Sequence, residues 1–135
     1  MKRIITVLLV INAGFLFGQA KSNKEIIKEI NLELGARNWS IQGDNIFVNN
    51  GTGGAGRGFW GLARVSYEIK LENRSFGGGD FYNNTYVLYV KCKDDKPCIE
   101  DQDLTEIPPY PLMSFDIGAD EKRANRILAL LNQLK

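Results

Sequence analysis

Two stretches of this chain alternate apolar and polar residues, and both lie between segments with helical spacing. In the first, Val65, Tyr67, Ile69 and Leu71 alternate with Ser66, Glu68 and Lys70. A period of two with one polar face predicts a half-buried antiparallel strand, and the run from Leu62 to Leu71 reads as that strand. In the second, Thr85–Lys93, Tyr86, Leu88, Val90 and Cys92 share one face, and Val87 and Tyr89 stand on the other. Apolar residues on both faces place this strand at the centre of its sheet. Shorter alternations, Trp39 with Ile41 and Ile46 with Val48, predict a hairpin turning at Gly43-Asp44. A strand begins at Ile99, and Leu112–Ile117 supplies one more.

Helices flank these strands. Ser22-Asn23-Lys24-Glu25 is a capping box, and Ile27, Ile30 and Leu34 then fall on one face before Gly35 stops the helix. Asp120 caps a second helix whose apolar stripe is Ala124, Ile127, Leu128, Leu131 and Leu134. Helix, antiparallel strands, helix is an α+β order.

The first residues read as an address. Met1-Lys2-Arg3 is a basic head, Ile4 to Gly18 carries no charge, and Gly18-Gln19-Ala20 offers small residues at a cleavage site. This layout predicts a signal peptide over 1–20 and a single domain over 21–135, exported to the periplasm or secreted. The uncharged run is shorter than the roughly 20 residues a membrane-spanning helix needs, so no stable insertion is expected after cleavage. Loss of Lys2 and Arg3 leaves 15 basic against 16 acidic residues. That balance excludes a general attraction to nucleic acid.

Export fits the two cysteines. Cys92 and Cys98 are separated by Lys93-Asp94-Asp95-Lys96-Pro97, a turn-like segment, and are expected to form a structural disulfide. A redox pair normally has a two-residue spacer. The chain has no histidine, which excludes Ser-His-Asp and Cys-His catalysis and the commonest zinc sites. No catalytic residue, cofactor or metal is predicted.

The strand running into Val90-Lys91-Cys92 and on to Ile99, then Ser114-Phe115-Asp116-Ile117, and then the helix Glu121–Leu131 carry a resemblance. This last third, Tyr89 to Lys135, resembles the end of a pleckstrin-homology-like domain. The resemblance implies a strongly bent antiparallel sheet forming an open barrel, plugged by the C-terminal helix, in a scaffold that binds lipids, peptides or proteins. The lipid-binding members carry a basic cluster in the first hairpin. Here Ile41 to Gly58 contains only Arg57, so phosphoinositide binding is not carried over.

Two glycine-rich loops bounded by aromatics are the candidate partner-binding elements. Gly51-Thr52-Gly53-Gly54-Ala55-Gly56 spells a dinucleotide fingerprint, but a strand follows where that chemistry needs a helix. Arg57, Phe59 and Trp60 sit on or beside this loop, where arginine and aromatic side chains suit a protein contact. The same two aromatics also suit a core at a strand start. The second loop is bounded by Phe76, Phe81 and Tyr82.

Glu100, Asp101, Asp103 and Glu106 read as a solvated acidic loop, with only fragments of a calcium-binding pattern. Pro108-Pro109-Tyr110-Pro111 reads as a stiff connector. Glycosylation sequons begin at Asn38, Asn50, Asn73 and Asn83. The function expected is that of a small exported, non-catalytic binding domain whose partner is a protein. The alternative is a secreted or periplasmic inhibitor or immunity-type protein that blocks an enzyme.

Overall fold

The computed structural model describes residues 20–35, 38–49, 57–75, 82–102 and 108–135. The expected signal peptide therefore lies outside the described residues, apart from Ala20. So do the loop residues 50–56 and 76–81, and Asp103 and Glu106 of the acidic cluster.

Helix α1 spans Asn23–Leu34. Ser22 Oγ accepts from the Glu25 amide at 3.3 Å, and Glu25 Oε2 accepts from the Ser22 amide at 2.8 Å, which closes the capping box. Ile26, Ile27, Ile30 and Leu34 form its buried face. Gly35 ends it at φ +70°, a conformation that costs glycine little.

The strands are β1 (Asn38–Gln42), β2 (Asn45–Asn49), β3 (Arg57–Gly61), β4 (Val65–Ser75), β5 (Tyr82–Cys92), β6 (Glu100–Asp101) and β7 (Leu112–Gly118). They form two antiparallel sheets, β1-β2-β3-β6 and β4-β5-β7. Helix α2, Glu121–Leu131, follows the last strand, with Asp120 Oδ1 accepting from the Arg123 amide at 3.1 Å. The described residues are thus α+β, with one helix before the strands and one after them. The strand read from Leu62 begins only at Val65, because Leu62–Arg64 form one turn of 3₁₀ helix between β3 and β4. The central placement of β5 holds: β4 lies on one side of it and β7 on the other.

α1 also closes an edge. Asn31 accepts from the Trp39 amide at 2.7 Å and donates to the Trp39 carbonyl at 2.8 Å. One side chain thus satisfies both backbone groups of Trp39 in β1, a strand that among the described residues has a sheet partner on one side only. The two helices are joined by Arg126, whose Nε and Nη2 donate to the two Glu33 carboxylate oxygens at 2.8 and 3.1 Å.

The core gathers residues of both sheets and both helices around three rings. Trp39 meets Trp60 edge-on, with centroids 5.5 Å apart and planes at 84°, and lies 5.6 Å from Phe115 of β7. Trp60 Nε1 donates to the Tyr67 hydroxyl at 3.2 Å, which links β3 in one sheet to β4 in the other. On the same face of β3, Gly58 lies against β7. A Cβ there would come within 2.9 Å of Met113 Sδ.

Trp60→Ala should therefore destabilise the domain by about 3–5 kcal/mol in a denaturant titration, the usual cost of truncating a buried aromatic. Tyr67→Phe removes only the acceptor of the buried indole and should cost about 1–3 kcal/mol.

Candidate functional site

Alternation along β2 and β3 sends Ile46, Val48, Gly58 and Trp60 inward. Phe47 and Phe59 therefore stand on the outer face. They are paired directly across the strands and stack, with centroids 5.2 Å apart and planes at 20°. The register extends the row to Ser40 in β1 and Glu100 in β6, both exposed. The next pair toward the first glycine-rich loop is Asn49 opposite Arg57, again exposed. The result is two half-buried rings in the middle of a polar sheet face, adjoining the ends of the 50–56 segment.

This arrangement divides the candidate residues. Arg57 and Phe59 share the outer face. Trp60 does not: it is 1% exposed and belongs to the aromatic core, so no partner reaches its ring in the folded domain. The reason is the pleat, since adjacent residues of one strand point to opposite faces. Phe76 and Phe81 lie outside the described residues. Tyr82 opens β5 opposite Ser75. Phe47 was not singled out from the sequence, although its position between Ile46 and Val48 marks an aromatic on the wet side of a strand.

The outer face of the other sheet is polar and internally paired. Tyr89 donates its hydroxyl proton to Glu72 and accepts from Arg74 Nη2 at 3.4 Å. Arg74 also donates to Glu72 at 3.0 Å and to Asp116 at 3.2 Å. Lys91 pairs with Glu68, and the ammonium groups of Lys70 and Lys91 lie 5.7 and 5.9 Å from the Tyr89 ring centroid. The hydrogen bond from Tyr89 holds the Glu72 carboxyl below its ordinary value, and the one from Lys91 does the same for Glu68. These partners fix the ionised carboxylates as acceptors, which leaves neither as a proton donor near neutral pH.

Cys92 and Cys98 are disulfide-bonded, with Cα atoms 5.8 Å apart. A cleft of about 150 Å³ beside the bridge is lined by Arg64, Lys93, Lys96 and Asp94. Among the described residues no group of three metal-ligating side chains comes together. Glu100 and Asp101 of the acidic cluster lie in β6. Against known protein families, curated proteins and solved structures, the chain gives no significant match.

Burial pushes the Tyr67 hydroxyl up to about 12. A raised value means the neutral phenol is favoured by folding. The stability it supports is complete below the unfolded value near 10 and is lost as pH rises toward 12. Absorbance titration of tyrosinate should show a late step near pH 12, and Tyr67→Phe should remove it. Persistence of that step in Tyr67→Phe would assign it to another tyrosine.

Proposed function

We propose that this chain is an exported, non-catalytic binding module of pleckstrin-homology-like type whose partner is a protein, held on the outer face of the four-stranded sheet. The carrying observation is the Phe47–Phe59 stack on a face that alternation makes the solvent side. Two adjacent rings offer a partner rigid apolar area at little entropic cost, and the surrounding Ser40, Asn49, Arg57 and Glu100 supply a polar rim.

Other features support the same reading. The final strand passes into a single amphipathic helix, as the resemblance implies. The disulfide fits an oxidising compartment, and among the described residues no helix is long and apolar enough to cross a membrane. The non-catalytic assignment rests on the lack of histidine and on carboxylates already committed to internal partners.

The test is a crosslinking pull-down from the native cell envelope and culture fluid, with bait expressed from the full sequence and its disulfide formed. Wild type should capture one stoichiometric protein partner across an interface of roughly 1,600 Å². Phe47→Ser with Phe59→Ser should lose it while keeping the circular dichroism of the wild type. Capture that survives the double substitution would move the site elsewhere. Loss of the partner's own enzymatic activity on binding would identify the bait as an inhibitor.

A further inference from the structure

We infer that β4 is a self-pairing edge through which two copies of this chain join their three-stranded sheets into one continuous sheet. β4 has eleven residues and, among the described residues, no strand beside its outer edge. The end of α2 and the residues after it meet the start of β4, where Leu131, Asn132 and Leu134 line a cleft with Val65, Ser66 and Tyr67. Glu68 to Arg74 lies beyond that cleft.

The ladder shows which backbone groups face outward. The Lys93 amide donates to the Arg64 carbonyl at 2.9 Å, whereas the Cys92 amide turns the other way, to Pro111 at 3.0 Å. The β4–β5 register is regular, with Val65 opposite Cys92 and Ser75 opposite Tyr82. Hydrogen bonding alternates along an antiparallel strand. Even-numbered residues of β4 therefore bond to β5, and Ile69, Leu71 and Asn73 direct their N–H and C=O groups to the open edge.

The side chains select a second copy as the occupant. On the outer face β4 reads Glu68, Lys70, Glu72, Arg74. A two-fold axis at Leu71 sets Lys70 against Glu72 of the second copy and Glu68 against Arg74 of the second copy. Every facing pair is then of opposite charge, which favours the pairing. Sliding the strands by one pair in either direction sets Lys70 against Lys70 or Glu72 against Glu72. An edge guarded by charge repels its own copy; this one matches it in a single register. On the opposite face the axis brings together the two Leu71 side chains, each 55% exposed in the single chain and among its most exposed large apolar groups. The narrow pairs are Leu71 with Leu71 and Ile69 with Asn73, the residues whose backbone groups point outward.

Analytical ultracentrifugation of protein expressed from the full sequence, disulfide formed, tests this at concentrations up to about 1 mM. Wild type should show a reversible monomer–dimer equilibrium. Lys70→Glu alone and Glu72→Lys alone each create two like-charge pairs across the axis and should weaken the dimer about tenfold or more. An equimolar mixture of the two variants restores opposite charges at both positions and should recover wild-type association, which misfolded chains would not do. Leu71→Pro removes an outward N–H without touching the ladder to β5 and should abolish the dimer with circular dichroism unchanged. A wild type that stays monomeric throughout overturns the inference. So does a dimer indifferent to both charge reversals, or a mixture that associates no better than either variant alone.

Discussion

The junction of Trp39, Trp60 and Phe115 is where the two sheets become one core. An indole is a large apolar body with one donor, and burying it leaves that donor in need of an acceptor. Trp60 finds its acceptor in Tyr67, near the start of β4 in the other sheet, so the bond is also a strut between sheets. Burial, not the strut, pushes Tyr67 up: the phenol is shut away from the water that would stabilise its anion, and the hydrogen bond donated by the indole acts the other way. Two residues before Trp60 the same face of β3 carries Gly58, with Met113 of β7 filling the space. A large residue beside none is how the two sheets approach at one point and stay apart at the next.

Once the sheets are tied, their edges become the remaining problem. A lone edge strand exposes unpaired backbone groups, and this chain treats two edges differently. On β1 the Asn31 amide reaches from α1 and occupies both backbone groups of Trp39, which also fixes the helix to the residue most central to the core. Cap, helix and edge are therefore one unit: the capping box sets where α1 starts, and the start sets where Asn31 falls. β4 receives no such side chain along Glu68–Arg74 among the described residues. Its alternating charges are instead tied to neighbours on the same face, Glu68 to Lys91 and Arg74 to Asp116. That leaves the outer backbone groups open.

Much of this was legible because it is local. The capping box, the Gly43-Asp44 hairpin, the central strand, the disulfide and the Asp120 cap each follow from residues within one turn or one strand of each other. What was not legible is non-local. In Arg57-Gly58-Phe59-Trp60-Gly61 two aromatics sit side by side between glycines, and nothing within the segment says which one faces inward. The choice is made by β2, where Ile46 opposite Trp60 and Phe47 opposite Phe59 fix the register. The sequence thus grouped Phe59 and Trp60 beside one loop, and the pleat separates them, Phe59 to the outer face and Trp60 to the core. Leu62–Arg64 misled for a related reason. An apolar residue one pleat before Val65 extends the alternation on paper, but the chain needs those residues to turn from one sheet to the other.

The two outer faces offer a partner different terms. On the three-stranded sheet the Tyr89 hydroxyl and the Arg74 guanidinium already donate to acceptors on the same face, so a protein docking there would have to strip water from charges without supplying better partners, and desolvation of that kind erodes affinity. On the four-stranded sheet the central groups are rings with no hydrogen bonds to lose, and covering them gains roughly 25 cal/mol for each Å² of apolar area withdrawn from water. A face with a dry centre and a polar rim selects for docking across the sheet. A face whose polar groups are internally satisfied selects for growth in the plane of the sheet, where side chains keep their water and only the edge backbone is covered. The two surfaces lie on different sheets and differ in chemistry, one apolar at its centre and one an edge of backbone groups flanked by charge.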